Sequence, residues 1–337
     1  MEPYQEPGLN DADSLHAAEQ VATSYPPKYV KLEQPANVWM KSLVSLALYL
    51  VLGYYIFHSL AMLLLITAIV IFHELGHFFA MKYFRYNDLG IFFIPLLGAY
   101  VSGTKREVSQ KESAIILLAG PLPGILLGLG CYLLWQQNHD LSVGGVSLYT
   151  VSILLIVLNL INLLPVYPLD GGQLLNRVFL DEESWVGKAF IFLSALLMVW
   201  LAWKTDWKLW PLLIFPVMML FRLQTDSKFN AVDKRIETEG INADVSYEDL
   251  TDEDYWKIRQ ILIEEHPGFK DISPAPPYVY SPKEEKIMVT IQSLLHRHLI
   301  QDVSLAGKLL ILIICLLAFA SPWFVNMDMS FFEPFGF

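Results

Sequence analysis

Charged residues are scarce in this sequence. Only 17% of its 337 residues are Asp, Glu, Lys or Arg, whereas 54% are hydrophobic, and the mean hydropathy is +0.42. Because soluble domains carry about 25% charged residues, this composition disfavours an ordinary soluble protein. Several apolar runs approach the roughly 20 residues that a helix needs to cross a bilayer. We therefore predict an all-α polytopic membrane protein surrounded by a lipid bilayer.

Basic residues and cysteines are also few. The chain has 23 Lys and Arg against 34 Asp and Glu, which gives a net charge of −11. Nucleic-acid binding requires basic surface, so we expect no nucleic-acid partner. Cys131 and Cys315 lie inside apolar runs, which indicates small buried side chains and excludes a disulfide framework or a thiolate metal site. The first 38 residues are polar and acidic, so we expect no cleavable signal peptide.

Apolar segments long enough to be membrane spans occur along most of the chain. They cover residues 40–57, 59–81, 112–135, 146–166, 185–203, 209–223 and 306–325. We expect about six to seven transmembrane helices. Lys and Arg are concentrated in 82–111 and absent from 136–145 and 323–337. The positive-inside rule then predicts a multi-pass protein of the cell membrane with a cytoplasmic N-terminus and an external C-terminus.

Composition divides the chain into four segments. They are a polar arm, a membrane core, an acidic stretch and a last span with its tail, and they cover residues 1–38, 39–223, 224–304 and 305–337. The arm has the composition of a mostly disordered segment. In the acidic stretch, helix-start signals at Thr251–Asp254 and Ser281–Glu284 precede apolar residues at helical spacing. The acidic stretch is therefore predicted to be a small helical cytoplasmic domain.

The most specific pattern is His73-Glu74-Leu75-Gly76-His77, which closes an apolar run. Residues four apart share one face of a helix, so both imidazoles can bind one ion. Catalytic zinc binds His nitrogens and leaves a position for water, whose proton Glu74 can accept. The alternative is a pair of helical histidines bonded to polar neighbours, but ionisable groups inside a span are costly and usually functional. We predict that His73 and His77 bind Zn²⁺ and that Glu74 is the catalytic base.

A zinc site needs a third protein ligand, and the other histidines lie in the polar arm, in predicted loops or in the acidic stretch. Asp170 follows an apolar span that Pro165 and Pro168 interrupt, and it precedes Gly171 and Gly172. The prolines end the helix, and the glycines permit a tight turn that returns the carboxylate to the helices. An ordinary Asp-Gly turn at the membrane surface explains the same residues. Spacing alone leaves both interpretations open.

Taken together, the motifs resemble the signature of a known family. His-Glu-x-x-His, followed by Asn162-Leu-Leu-Pro165 and then Leu169-Asp170-Gly171, is similar to the pattern of the site-2 proteases, which are intramembrane zinc metalloproteases. The resemblance covers about residues 59–172, a range that we take as the catalytic core. It implies that His73, His77 and Asp170 bind zinc, that Glu74 is the general base, and that the substrates are transmembrane proteins or peptides.

The chain departs from the family pattern at two positions. Tyr167 stands where many members have Pro, and Gly124 stands where many have Asn, three residues after a Gly-Pro pair. An amide at that second place would offer a hydrogen bond to the transition state. The departures therefore bear on transition-state stabilisation and leave the predicted metal ligands intact.

Two features are candidates for substrate contact. Asn162 is expected to contact the substrate backbone or the oxyanion, although an interhelical hydrogen bond would also explain an Asn in a membrane helix. Residues 86–103 are apolar, too short to span and broken by Gly and Pro, which predicts a small re-entrant β-loop similar to that of the family. In this loop, Gly98, Ala99 and Tyr100 are candidates to pair with an unwound substrate strand. A simple interfacial loop is the alternative.

The predicted reaction is hydrolysis of peptide bonds in transmembrane helices, with zinc-activated water and Glu74 as the base. Two other classes of protein stay open. A polytopic metal-ion transporter would pass an ion through His73, Glu74 and His77, but it favours further acids or histidines along a path. A non-catalytic scaffold would bind membrane helices without cutting them, and the intact His, Glu and Asp residues argue against it. A third possibility is the class of membrane zincin whose third ligand is a Glu, which replacing Asp170 with Ala would discriminate.

Overall fold

The fold comes from a computed structural model that describes residues 25–30, 38–57, 59–95, 98–105, 108–180, 184–205, 213–243, 245–273, 275–295 and 300–327. The chain separates into two compact units. The polar unit comprises Met1–Gln34 and Thr225–Arg297, and the membrane unit comprises Pro35–Gln224 and His298–Phe337. Most of the structure is helical, which confirms the predicted fold class.

Long apolar helices dominate the membrane unit. Among the described residues, five segments are long and apolar enough to cross a membrane. They are α1 (Val38–Phe57), α2 (Leu60–Tyr83), α3 with α4 (Gln110–Ala119 and Pro121–Gln137), α7 (Trp185–Lys204) and α11 (Leu305–Phe324). A further apolar helix, α5 (Leu148–Asn162), is shorter. These helices correspond to six of the predicted spans.

The remaining predicted span, 209–223, falls partly outside the described residues, because nothing is described between 205 and 213. Its described part opens α8 (Ile214–Thr238), which continues into polar sequence. The apolar start of α8 is therefore shorter than the other spans. Because the described apolar part is short, the seventh crossing stays a prediction.

The segment predicted as a β-loop forms an antiparallel hairpin of β1 (Asn87–Ile94) and β2 (Gly98–Thr104). Ile91 pairs with Val101 in its register. The amide of Phe93 in β1 donates a hydrogen bond of 3.1 Å to Ser45 Oγ in α1. Because β1 has β2 on one side and α1 on the other, β2 is the edge strand. It lies against α2.

Helices α4 and α5 pack closely through glycines spaced four residues apart. A Cβ on Gly124 would lie 2.2 Å from Nδ2 of Asn159, and one on Gly128 would lie 2.6 Å from Cγ1 of Ile156. A short hairpin, β3 (Ser142–Val143) and β4 (Val146–Ser147), joins the two helices. After α5 the chain leaves helical form until α6 (Asp170–Leu174), which runs into a π-helical segment, Leu175–Leu180.

The polar unit is a small helical structure with its own core. It contains the second half of α8, α9 (Asp252–Glu265), a 3₁₀ turn at Pro267–Phe269 and α10 (Glu284–Leu295). Thr251 caps α9, since its hydroxyl accepts a hydrogen bond from the amide of Asp254. Part of the predicted disordered arm also belongs here, because residues 25–30 pack against the core of this unit. Residues 1–24 lie outside the described residues.

Candidate metal centre

Two imidazoles and one carboxylate converge inside the membrane unit. His73 and His77 lie one turn apart on the buried face of α2, with their Nε2 atoms 3.0 Å apart. Oδ2 of Asp170, at the start of α6, lies 3.0 Å from Nε2 of His73 and 3.3 Å from Nε2 of His77. The structure thus brings together the three side chains that the sequence singles out as metal ligands. Their role as ligands stays a prediction.

The far nitrogen of each imidazole has a partner that fixes the ring. Nδ1 of His73 lies 2.8 Å from Oδ1 of Asn159, whose Nδ2 donates to the carbonyl of Leu155 at 2.7 Å and so turns the amide oxygen toward the ring. Nδ1 of His77 donates to the carbonyl of Ile116 at 2.7 Å. Both partners accept hydrogen bonds, so each Nδ1 carries the proton and each Nε2 presents a lone pair toward Asp170.

This arrangement fits a divalent cation. Oδ2 of Asp170 is buried and, among the described residues, accepts no hydrogen bond of good geometry. When both imidazoles are neutral, two lone pairs and a carboxylate oxygen face one another, and a cation between them would compensate all three. Four-coordinate zinc with bonds of about 2.0 Å has ligand atoms roughly 3.3 Å apart. The three separations observed are 3.0, 3.0 and 3.3 Å.

Two glycines allow α2 to approach the junction of α3 and α4. A Cβ on Gly76 would lie 1.9 Å from the carbonyl oxygen of Ala119, so the helix surfaces touch there. A Cβ on Gly120 would lie 2.3 Å from Nε2 of His77, so the absence of a side chain leaves the space that the imidazole fills. The position of His77 thus depends on residues of two helices.

The turn before α6 places Asp170. Helix α5 ends at Asn162, and Pro165 and Pro168 keep the next residues out of helical form. Gly171 and Gly172 act here by close packing: a Cβ on Gly171 would lie 2.0 Å from the carbonyl oxygen of Leu163. Neither glycine has a positive φ. The predicted tight turn is therefore a contact between the start of α6 and the segment that precedes it.

Glu74 lies beside the three converging side chains and is buried, with 6% of its surface exposed. Its carboxyl group is within hydrogen-bonding reach of the backbone of Val101 in β2. Glu74 therefore sits between the motif helix and the edge strand of the hairpin. A carboxylate in this position can accept a proton from a water molecule near His73 and His77.

The predicted substrate contacts are placed less directly. Gly98, Ala99 and Tyr100 begin β2, and the half-exposed ring of Tyr100 stacks on Phe92. Asn162 donates to the carbonyl of Leu158 in its own helix at 3.2 Å. Its substrate contact stays a prediction.

Asn159, whose amide reaches His73, was not among the predicted site residues. Neither was the carbonyl of Ile116, which positions His77. A signal for Asn159 was present in Gly124: a glycine at this packed face leaves room for the polar side chain opposite.

Comparison with known proteins gives a consistent family. Residues 61–139 match peptidase family M50. A zinc metalloprotease of Methanocaldococcus jannaschii is 30% identical over 132 residues, which are 39% of this chain and 38% of that protein. Stage IV sporulation protein FB of Bacillus subtilis is 33% identical over 119 residues, 35% of this chain and 40% of that protein. The chain thus spans about two fifths of the length of these relatives.

Among solved structures, a site-2 protease from Methanocaldococcus jannaschii covers 54% of this chain and 84% of its own, at 22% identity and a TM-score of 0.38. The family match contains α2 with His73, Glu74 and His77, the β1–β2 hairpin, α3 and α4, while Asp170 lies beyond it. On the family match and the two curated relatives, the chain carries a peptidase family M50, or site-2 protease, domain.

Proposed function

We propose that this chain is an intramembrane zinc metalloprotease that hydrolyses peptide bonds in the transmembrane segments of proteins or peptides. The proposal rests on one observation above all: His73, His77 and Asp170 converge with Nε2–Nε2 and Nε2–Oδ2 separations that suit one zinc ion. The matched M50 domain and the long apolar helices support the same function.

Each side chain of the centre has a distinct task. His73, His77 and Asp170 would hold the zinc ion, which would act as a Lewis acid and lower the pKa of a water molecule. The carboxylate of Glu74 accepts the proton of the attacking water and delivers it to the leaving amine. Because Oδ1 of Asn159 accepts a hydrogen bond from the N–H at Nδ1 of His73, Nε2 of His73 is left free and aimed toward Asp170.

The edge strand β2 offers a means to hold the substrate. In a transmembrane helix, carbonyl groups are engaged in hydrogen bonds to amides four residues later, so the helix must unwind before it is cut. An extended segment can then pair with the edge strand β2 near Gly98, Ala99 and Tyr100. Because Glu74 reaches the backbone of Val101 on this strand, the proposed base would lie near the paired segment.

The charge pattern of the loops supports an orientation in the cell membrane. We propose that the N-terminus and residues 82–111 are cytoplasmic and that the β3–β4 hairpin is external, because Lys and Arg are concentrated in the first loop and absent from the second. Lys82 follows His77 by five residues, about 7.5 Å along the helix. The metal centre then lies in the cytoplasmic third of the bilayer.

Zinc analysis combined with a cleavage assay tests the function. The full chain would be purified in detergent, with the wild type, Glu74→Gln and Asp170→Ala compared on a labelled model transmembrane peptide. Glu74→Gln should retain zinc and lose at least about 10²-fold in turnover, because only proton transfer is removed. Asp170→Ala should lose both zinc and turnover, because a charged ligand is missing.

Asp140→Asn is the matched control, since Asp140 is an exposed carboxylate near the β3–β4 hairpin. It should match the wild type in zinc content and in turnover. Wild-type cleavage by Glu74→Gln would remove the proposed base. Zinc that exchanges across a membrane without peptide cleavage would instead support a transporter, and peptide binding without cleavage would support a scaffold.

A further inference from the structure

A short proline-containing segment lies on the surface of the polar unit. This strap, Tyr25-Pro26-Pro27-Lys28-Tyr29-Val30, is neither helix nor strand. Three of its carbonyl groups accept hydrogen bonds from aromatic side chains. Nε1 of Trp256 donates to the carbonyl of Pro26 at 2.8 Å, the hydroxyl of Tyr280 to that of Pro27, and the hydroxyl of Tyr247 to that of Tyr29 at 2.6 Å.

Lys28 fixes the register of the strap. Its backbone amide, the first after two prolines that have none, donates to Oδ1 of Asp252 at 2.8 Å. Its ammonium group donates to the carbonyls of Glu248 and Leu250 at 2.7 and 2.6 Å and lies 5.7 Å from the ring centroid of Tyr247. Lys28 thus anchors the strap to the rest of the polar unit through both its main chain and its side chain.

Aromatic rings form the groove beneath the strap. The rings of Trp256 and Tyr280 stack with centroids 5.8 Å apart. Tyr25 and Tyr29 of the strap pack edge-on against Tyr278 and Tyr280, at 5.2 and 5.6 Å. Such grooves recognise peptides in the polyproline II conformation, whose carbonyls point outward and whose shape costs little entropy to fix.

A buried ion pair holds the groove in shape. Arg259, on the same helix as Trp256, donates to both carboxylate oxygens of Glu284 at 2.7 and 3.0 Å, and its guanidinium lies 4.8 Å from the ring of Trp256. The side chains of Arg259 and Glu284 are both 2% exposed. The hydroxyl of Tyr255 donates to Glu284 at 2.5 Å. The groove is therefore preorganised by contacts that do not involve the strap.

The core of the polar unit is also complete without the strap. Its buried hydrophobic residues, from Val232 to Leu295, all come from the segment after residue 224, and Tyr25 and Tyr29 are only partly buried against them. Most hydrogen bonds to the strap go to main-chain groups. The groove thus recognises an extended proline-containing backbone and one lysine, and these can be supplied by another chain.

We propose that the polar unit is a peptide-binding module for proline-rich segments of the form Pro-Pro-Lys-Tyr, and that residues 25–30 occupy its site in cis. The partner is a protein that presents such a segment. Because the strap is tethered, its effective concentration is on the order of millimolar, so it blocks weaker ligands until it is released. The N-terminal arm then controls access of the partner to this site.

Peptide binding to the full chain tests the proposal. The probe is a fluorescein-labelled peptide with the sequence of residues 24–31, and fluorescence anisotropy reports binding to the purified protein. Lys28→Ala with Tyr29→Ala weakens the strap and should bind the probe at least about tenfold more tightly than the wild type. Adding Trp256→Phe should reverse this gain, since Phe preserves an aromatic body but lacks the indole N–H.

A second peptide, with Ala in place of both prolines, is the control ligand and should bind several-fold more weakly. Equal binding of the probe to the wild type and the strap variant would overturn the proposal. So would equal binding of the two peptides. If Trp256→Phe left the affinity gain of the strap variant unchanged, the probe would bind elsewhere, and this would also overturn the proposal.

Hydrogen exchange of the wild-type chain keeps the proposal testable if the strap variant unfolds. The amide of Lys28 should exchange at least about 100-fold faster than those of Ile258 and Ile287 in the core, because the strap detaches while the unit stays folded. Exchange of all three amides at one rate would show that the strap is an integral part of the fold, and the module would be rejected.

Discussion

Asn159 is 1% exposed and bonds to a histidine that the sequence predicts as a ligand. Its Oδ1 accepts a hydrogen bond from the N–H at Nδ1 of His73 and so leaves Nε2 as the nitrogen that is free to bind a metal. Asn162, one turn further along α5, bonds instead to the carbonyl of Leu158 in its own helix. Both asparagines lie on α5, but only Asn159 contacts one of the three side chains of the candidate metal centre.

Replacing Asn159 with Leu should therefore weaken zinc binding by about 10- to 100-fold, because His73 loses the partner that fixes its tautomer and orientation. Competition with a chromogenic chelator measures the affinity. Asn162→Leu is the control and should leave zinc affinity unchanged. A larger loss in the control than in Asn159→Leu would show that Asn162 is the residue that supports the ligands.

The sequence predicted the converging side chains but not all of their supports. His73, Glu74 and His77 follow from helical spacing, whereas Asp170 needed the family resemblance, because an Asp-Gly turn looks the same locally. The carbonyl of Ile116 could not be predicted at all. Every residue has a carbonyl group, so only the packing of α2 against α3 reveals which one a histidine reaches.

At the scale of helices, the space around His77 is set by a residue on another element. Gly120 lies between α3 and α4, and a Cβ there would lie 2.3 Å from Nε2 of His77. Gly130, further along α4, has nothing within 4 Å of the same added atom. Comparing Ala substitutions at these two glycines therefore separates the effect of helix propensity from the effect of filling the space beside His77.

Gly120→Ala is expected to displace the imidazole and reduce zinc content and peptide cleavage severely. Gly130→Ala should retain both, and its greater helix propensity favours the helix by up to about 1 kcal/mol. Zinc content and turnover of the two purified variants are the measurements. Normal zinc binding by Gly120→Ala would mean that His77 does not need the space that Gly120 leaves.

In the polar unit, one ion pair links α9 to the start of α10. Burial alone raises the pKa of Glu284, but hydrogen bonds from Arg259 and Tyr255 outweigh it and hold the pKa below the ordinary value of 4.5. A carboxyl group whose pKa is lower in the folded state stabilises the fold above its unfolded pKa. That stabilisation is lost as the pH falls through the folded pKa.

Acid should therefore destabilise the polar unit once the pH falls below about 4.5. Glu284→Gln should lower its stability at pH 7 by about 3 kcal/mol, because the guanidinium of Arg259 is left buried without its carboxylate, and should flatten the pH dependence. Hydrogen exchange of peptides from α9 and α10 in the full chain measures both effects. Glu285→Gln, an exposed neighbour on the same helix, is the control; an equal loss there would contradict the assignment to the buried pair.

Most helices and the β-hairpin could be predicted because apolar length, capping residues and Gly or Pro interruptions are local signals. Thr251 caps α9 as its spacing indicates. The π-helical segment after Asp170 has no such signal. The strap at residues 25–30 was assigned to a disordered arm, since a polar proline-containing segment acquires a fixed structure only through distant aromatic partners such as Trp256.

For the whole molecule, the number of crossings decides which side of the membrane carries the polar unit. The described apolar start of α8 is short. Residues 225–297 lie on the same side as the basic loop 82–111, as the charge pattern predicts, only if α8 crosses the membrane. The side depends only on whether the chain crosses the membrane an even or an odd number of times between residues 111 and 225.

Cysteine labelling tests the prediction that the polar unit is cytoplasmic. In a background with Cys131→Ser and Cys315→Ser, His139→Cys should react with an impermeant maleimide in intact cells, and Lys270→Cys only after permeabilisation. His139 adjoins the β3–β4 hairpin, which the charge pattern predicts to be external, and Lys270 is exposed on the polar unit. Labelling of both sites in intact cells would show that α8 does not cross.

If substrates pair with the edge strand β2, this has a consequence for which sequences could be cut. Main-chain pairing is indifferent to side-chain identity, so the strand would discriminate by the ease with which a helix opens. A glycine inside a helix lowers its stability by about 1 kcal/mol relative to alanine, and a proline by about 3. Cleavage would then occur where the substrate helix has a low helix propensity. A single Gly→Ala change at such a point of the substrate would protect it without any change to the protease.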